Sequence, residues 1–148
     1  MDQNSIGQAN FLNQTSYRDD IAKFLKRYRP EALSVAEEFT ISVVAGADDD
    51  QGPYTDQQLN VLKNAEAVLD SQQILSIAWP TPFEAINTGG KPPFKKDRAT
   101  PINDNEPFLT FLNYIVERDQ VPNVISFSYG EDEQTVMAQP VNYRDTIS

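Results

Sequence analysis

The alternation of apolar and polar positions predicts helices that alternate with short strands. Ser16 and Asp19 have capping-box spacing, and apolar residues then recur at helical intervals until Pro30, which predicts a first helix. The segment from Phe39 to Ala45 is short, β-branched and almost continuously apolar. This pattern predicts a strand that is covered on both faces.

The second half of the chain predicts two further helices and a second strand. A helix is expected from Thr55 to about Leu75, since Thr55 and Gln58 also have capping-box spacing. A third helix is expected from Glu106 to Glu117, and Val121 to Tyr129 predicts another buried strand. Helices that alternate with buried strands indicate the α/β fold class, a parallel sheet with helices on both faces. Ligand sites of such sheets lie beyond the carboxyl ends of the strands.

Length, charge and missing residue types narrow the function. The chain has 148 residues, about one domain, and a formal net charge of −10, which disfavours nucleic acid as a partner. No apolar run approaches the roughly 18 to 20 residues of a membrane span, and no signal peptide follows Met1. We therefore expect no membrane partner, and a cytoplasmic location if the chain is expressed as written. Histidine and cysteine are absent, so acid–base chemistry would depend on carboxylates in acidic surroundings.

Glu66 and Asp70 are the strongest candidates for such chemistry. They lie one helical turn apart and share a direction with Leu59 and Ile77, so they interrupt an apolar stripe. Like charges at this spacing cost about 0.2–0.5 kcal/mol, and one shared proton would remove most of that cost. Such a pair can act as a general base supported by a second acid. The alternative is an ordinary solvated face, because Lys63 lies three residues before Glu66, and spacing alone leaves both open.

Two other polar segments are weaker candidates. Asp48, Asp49 and Asp50 could face a hard cation, but consecutive carboxylates diverge, and we interpret them as a solvated loop with no metal site. The segment Thr88–Gly90 resembles a phosphate-binding turn, yet the rest of that pattern is missing. We interpret it as a structural turn.

Several stretches, in one continuous order, resemble the sedolisin family of serine-carboxyl peptidases, especially the fungal tripeptidyl peptidases. The resemblance covers most of residues 5–136, so we expect residues 1–136 to be the N-terminal part of a catalytic domain and 137–148 a divergent, loosely ordered tail. The matching stretches are Glu66–Gln72 (EAVLDSQ), Ala78–Pro82 (AWPTP), Thr88–Gly90 with Pro92–Phe94, Asn105–Pro107 with Phe111–Tyr114, and Val124–Val136 (VISFSYGEDEQTV).

The resemblance implies an incomplete subtilisin-like fold and a peptidase site. Family members release tripeptides from protein N-termini at acidic pH, using a serine that is activated by a glutamate and an aspartate. Glu66 would be the general base and Asp70 its partner, while Ser128, Tyr129 and Gly130 would offer backbone hydrogen bonds to an extended peptide. The resemblance further implies peptide or protein substrates and an extracellular location. The family's calcium site cannot be placed on this chain, so no cofactor is expected.

The chain departs from the family pattern in ways that bear on activity. The family's Ser-Gly-Asp segment, which lines the oxyanion hole, and its Gly-Thr-Ser segment, which bears the nucleophile, do not occur in the 148 residues. We therefore expect little or no peptidase activity from the chain alone. Two alternatives stay open: a non-catalytic peptide-binding module, and a truncated product that associates with itself through an exposed sheet edge.

Overall fold

All strand pairs in the sheet are parallel. The computed structural model describes residues 4–130, and its sheet has the strand order β2-β3-β1-β4. Ile6 of β1 lies opposite Phe83 of β3 and opposite Val124 of β4. The strands are β1 (Ile6–Asn10), β2 (Thr40–Val44), β3 (Phe83–Thr88) and β4 (Val124–Ser126). A four-stranded parallel sheet with helices confirms the predicted α/β class.

Helices cover the two faces of the sheet unequally. On one face, α1 and α4 pack through Ile21, Leu25 and Leu75 against Phe83 and Ala85 of β3. On the other face, α5 packs through Phe111 against a cluster that includes Phe11. The helices are α1 (Arg18–Tyr28), α2 (Val35–Glu38), α3 (Asp56–Asn60), α4 (Ala65–Ala78) and α5 (Phe108–Val116), with a 3-10 turn at Pro30–Ala32.

The two central strands, β1 and β3, were not predicted. Their sequences carry Gln8, Asn10 and Asn87, which are fully buried and polar. The two predicted strands exist, but they are shorter than expected and lie at the edges of the sheet. The prediction that both are buried on two faces was wrong, because the faces of these outer strands are not fully covered: Val43 and Val124 are both exposed.

The helix boundaries also differ from the pattern. The Ser16 capping box does not form, since α1 has Tyr17 at its N-cap and the Ser16 hydroxyl instead accepts a hydrogen bond from Asn10. The Thr55–Gln58 capping box is confirmed, but the predicted long helix is interrupted after Asn60. The helix predicted from Glu106 begins at Phe108, with Pro107 at its N-cap.

None of the helices in the described part of the chain is both long enough and apolar enough to span a bilayer. The tail predicted at 137–148 lies outside the described residues.

Candidate functional site

The carboxyl ends of the four strands meet at one edge of the sheet, and strained backbone collects there. A left-handed φ is costly for residues other than glycine, by about 1–3 kcal/mol each, and such residues cluster at functional sites. All the described non-glycine residues with positive φ follow β1 or β2 or lie within three residues before α4: Leu12, Asn13, Ala45, Leu62 and Asn64. The predicted position of the site, beyond the carboxyl ends of the strands, coincides with this strained edge.

The first turn of α4 is capped from another segment of the chain. Its N-cap residue, Asn64, has φ 67° and makes no side-chain cap, because Asn64 Oδ1 accepts from the backbone N–H of Thr15 at 2.9 Å. Gln14, in the loop after β1, supplies the missing acceptor. Its Oε1 accepts from the backbone N–H groups of Glu66 at 3.0 Å and Ala67 at 3.2 Å. Glu66 is therefore held to the end of β1 through its own backbone.

A network of buried polar side chains also connects α4 to the central strands β1 and β3. Gln8 Nε2 donates to the carbonyl of Ala67 at 2.9 Å, and the Ser71 hydroxyl donates to Gln8 Oε1 at 2.7 Å. Asn10 donates to Asn87 Oδ1 at 2.9 Å, which ties β1 to β3. The first two turns of α4 are thus fixed to the two central strands by hydrogen bonds.

Glu66 and Asp70 project from these first two turns and are half-buried. Asp70 Oδ2 is inaccessible to solvent and has no hydrogen-bond partner in the described part of the chain. The predicted apolar stripe around the pair was wrong: Leu59 belongs to the separate helix α3, and Ile77 is 76% exposed. The solvated-face alternative relied on Lys63 as a neighbouring cation, but Lys63 Nζ binds Asp48 Oδ2 at 2.6 Å.

Tyr129 connects this carboxylate pair to the segment that follows β4. Its ring packs edge-on against Phe11, with 5.1 Å between ring centroids. Burial of the hydroxyl is the largest reason why the pKa of Tyr129 rises to about 12, and the nearby Phe11 backbone N–H acts in the opposite direction. The negative charges of Glu66 and Asp70 raise this pKa further. The hydroxyl therefore lies within the electrostatic field of both candidate residues.

Glu106 is a third carboxylate whose charge acts on Tyr129, and the sequence analysis assigned it no role at the site. It is only 7% exposed, and its charge also raises the pKa of Tyr129. The one signal in the sequence is a glutamate directly before Pro107 and the strongly apolar start of α5. A charged residue next to such a run is a candidate for a buried polar contact.

Ser128 and Gly130 are exposed beyond the carboxyl end of β4. β4 pairs only with β1 among the described strands, so within residues 4–130 its outer edge has no neighbour. An extended peptide could lie along this edge. The assigned substrate role of Ser128, Tyr129 and Gly130 stays a prediction.

The two weaker candidates have structural partners. A hydrogen bond from Lys63 lowers the pKa of Asp48, and Asp49 accepts from the Thr15 hydroxyl at 3.0 Å. In residues 4–130 no group of three acidic, histidine or cysteine side chains is arranged for a metal ion. Gly89 allows close chain packing, because a Cβ there would lie 2.7 Å from the carbonyl oxygen of Ala45.

The fold and this edge define the class: a parallel α/β protein with a carboxylate site built on the N-terminus of a helix. The chain is 32% identical over 142 residues to tripeptidyl-peptidase SED2 of Arthroderma otae, a match that covers 93% of the chain and 22% of the relative. It is 31% identical over 136 residues to tripeptidyl-peptidase sed4 of Aspergillus fumigatus, a match that covers 88% of the chain and 21% of that relative. It is also 32% identical over 139 residues to probable tripeptidyl-peptidase SED3 of Arthroderma benhamiae, a match that covers 90% of the chain and 22% of that relative.

The chain belongs to the sedolisin family, and it spans about a fifth of the length of the curated relatives that it matches. No family model matches the chain. No solved structure matches it either.

Proposed function

We propose that this chain carries the acid–base part of a serine-carboxyl tripeptidyl peptidase site that works at acidic pH. Glu66 is the general base, Asp70 is its partner, and the peptide substrate lies along Ser128, Tyr129 and Gly130. The observation that supports this assignment is the shared field at Tyr129. The negative charges of Glu66 and Asp70, in the first turns of α4, both raise the pKa of Tyr129, a side chain of the proposed peptide-binding segment.

In this proposal Glu66 accepts the proton of a serine hydroxyl as the serine attacks the scissile carbonyl. Asp70 stabilises the protonated form of Glu66 by accepting a hydrogen bond from it. Asp70 Oδ2 is available for this role, because it has no hydrogen-bond partner among the described residues. Glu66 then returns the proton to the leaving amine, as the base does in other serine peptidases. Gln14 keeps Glu66 in place during both transfers, because it binds the backbone of Glu66 itself.

The serine and the oxyanion-binding aspartate of the family are to be supplied from outside these residues, since neither segment occurs in the sequence. Loss of the nucleophile in an analogous triad lowers turnover about a millionfold, and loss of an oxyanion donor lowers it about a hundred- to a thousandfold. The chain alone is therefore proposed to be essentially inactive. An extracellular location follows from the family resemblance, and self-association through the open β4 edge belongs to the same proposal.

A second candidate function is peptide binding without catalysis. The observation that favours it is the open outer edge of β4 together with the exposed Ser128 and Gly130. Calorimetry with extended peptides measures this directly. Binding that survives Glu66→Gln, in a chain that gives no turnover with any added segment, would favour the binding module over the peptidase.

A chimera tests the catalytic assignment. Residues 5–130 replace the aligned segment of the Arthroderma otae relative, and release of a chromogenic leaving group from a tripeptide substrate is measured near pH 4. Glu66→Gln in the chimera is expected to lower kcat by about a hundred- to ten-thousandfold. Glu117→Gln, at an exposed position after α5, serves as the control and should leave kcat unchanged. A folded, active chimera in which Glu66→Gln behaves like Glu117→Gln would refute the assignment.

A further inference from the structure

Asn13 lies at the tip of a tight turn directly after β1, and the mechanism proposed above does not use it. Leu12 and Asn13 have left-handed φ values of 55° and 58°. The backbone N–H of Gln14 donates to the carbonyl of Phe11 at 3.0 Å and closes the turn. Positive φ at both central residues is typical of a type I′ turn, in which asparagine is one of the favoured residues. Asn13 is exposed, so the turn presents its side chain to solvent.

Asn13 also begins an acceptor sequence for N-linked glycosylation. Such a sequence is an asparagine, any residue except proline, and a serine or threonine, and here it consists of Asn13, Gln14 and Thr15. No other asparagine in the 148 residues meets this pattern. We propose that Asn13 carries an N-linked oligosaccharide, which is attached before the chain folds. The inference goes beyond the proposed function and depends on the extracellular location proposed with it, because these glycans are attached as a chain enters the secretory pathway.

The transfer forms one bond and breaks one. The donor is an oligosaccharide linked to a polyprenyl diphosphate, and the secretory pathway supplies it. The Nδ2 atom of Asn13 forms a bond to C1 of the first sugar, and the bond between that carbon and the diphosphate oxygen breaks. The diphosphate leaves with the electron pair, and Nδ2 loses one proton to a base of the transferase. The chain itself contributes only the amide nitrogen and the Thr15 hydroxyl that the transferase recognises.

The Thr15 hydroxyl is inaccessible once the chain has folded, because Thr15 is fully buried. Its Oγ1 donates to Asp49 Oδ1 at 3.0 Å and accepts from Asn87 Nδ2 at 2.8 Å. A transferase that must contact this hydroxyl therefore cannot reach it in the native structure. Transfer has to precede folding, or to wait for a local opening that breaks both hydrogen bonds.

The folded structure nevertheless accommodates a glycan on Asn13. The buried contacts of this segment are made by the two residues that follow: Gln14 Oε1 accepts from the backbone N–H of Glu66 at 3.0 Å, and Thr15 is bonded as described above. Asn13 itself is exposed, so a sugar on its Nδ2 displaces no buried group. Leu12, its neighbour in the turn, is an apolar side chain that is 42% exposed, and a bulky, solubilising glycan beside it would cover part of that surface.

Cell-free translation into endoplasmic-reticulum vesicles tests the acceptor. The full chain is preceded by a signal peptide, so that it enters the lumen, and its mass is measured with and without peptide N-glycosidase. We expect a single oligosaccharide that the glycosidase removes. Asn13→Gln should carry none, whereas Asn4→Gln, at an exposed asparagine outside the acceptor sequence, should still be modified. An unmodified chain that is protected inside the vesicles would overturn the inference.

A purified oligosaccharyltransferase with its lipid-linked donor tests the order of events. The folded full chain, made without a signal peptide, is compared with the double variant Ile21→Asp, Leu25→Asp, which places two charges in the buried core and unfolds the protein. The unfolded variant should be modified at least about a hundredfold faster, because only an opened chain exposes Thr15. Equal rates, with circular dichroism confirming one folded and one unfolded sample, would refute attachment before folding.

Replacement of Thr15 in the unfolded double variant tests the role of its hydroxyl without any effect of folding. Thr15→Ser keeps a hydroxyl and should still be modified, whereas Thr15→Val has none and should not. Transfer to Thr15→Val at the rate of the threonine protein would remove the reason for the predicted order.

The outcomes separate this inference from the proposed function. If the chain is glycosylated at Asn13 but Glu66→Gln leaves the kcat of the chimera unchanged, the modification site stands and the catalytic assignment fails. If the chain stays unmodified in the vesicles but Glu66→Gln lowers kcat as expected, the catalytic assignment stands and the modification site fails.

Discussion

Replacement of Gln14 by alanine tests whether α4 is positioned from outside the helix. The variant removes one acceptor that serves two backbone N–H groups, at 3.0 and 3.2 Å. Loss of a helix cap costs typically about 1 kcal/mol, and water can replace part of the second bond because Gln14 and Glu66 are only half-buried. We expect the free energy of unfolding to fall by about 1–2 kcal/mol, which corresponds to a Tm lower by roughly 3–8 °C.

Urea unfolding measures the loss of stability, and amide hydrogen exchange localises it. The amides of Glu66 and Ala67 should exchange faster in Gln14→Ala, whereas those in α1 should not change. Gln73→Ala is the matched control: Gln73 is an exposed glutamine on α4, and alanine is the better helix former, so stability should be equal or slightly higher. If Gln14→Ala unfolds within about 0.3 kcal/mol of this control and the two amides stay protected, the proposed positioning of Glu66 is wrong.

Two further predictions concern Tyr129 and the buried network. Because folding raises the pKa of Tyr129 from about 10 to about 12, its contribution to stability is present below pH 10 and lost as the pH rises to 12. The free energy of unfolding, measured by urea titration at pH 8 and at pH 12, should therefore fall by about 2 kcal/mol less in Tyr129→Phe than in the unaltered protein. An equal fall in both proteins would contradict this prediction. Asn87→Ala should cost about 2–4 kcal/mol, since it removes one hydrogen bond from each of the buried residues Asn10 and Thr15 and leaves a small cavity. Asn113→Ala, on the exposed face of α5, should cost little.

Features with a local physical cause could be predicted from the sequence. The capping box at Thr55 and Gln58 spans only four residues of the chain, and it forms as expected. The first helix follows its own periodicity and ends at Tyr28, before Pro30. The same spacing at Ser16 gave a wrong prediction, because the Ser16 hydroxyl accepts a hydrogen bond from Asn10 of β1 instead of capping the helix. A tertiary contact thus overrode a local signal that is identical in form.

The centre of the sheet could not be predicted, because its polar residues are satisfied only by distant segments. Gln8 in β1 bonds Ala67 and Ser71, which lie more than 50 residues further along the chain. A single-sequence pattern counts such residues as exposed, so β1 and β3 appear too polar for central strands. The more apolar strands turn out to lie at the edges. Similarly, the break before α4 depends on Leu62 and Asn64 in left-handed conformations, and neither is a glycine.

The same features that defeat sequence prediction explain how the carboxylate pair is held. Glu66 is tied through its backbone to Gln14, and the next turn of α4 is tied through Ser71 to Gln8 of β1. Phe11 directly follows β1, and its ring packs against Tyr129, which lies beyond the end of β4. Glu66 and the Ser128–Gly130 segment are therefore connected through one central strand, by hydrogen bonds on one face and an aromatic contact on the other. An arrangement that fixes both groups before substrate arrives is what proton transfer over a hydrogen-bond distance requires, since a small displacement of the base is enough to slow the reaction.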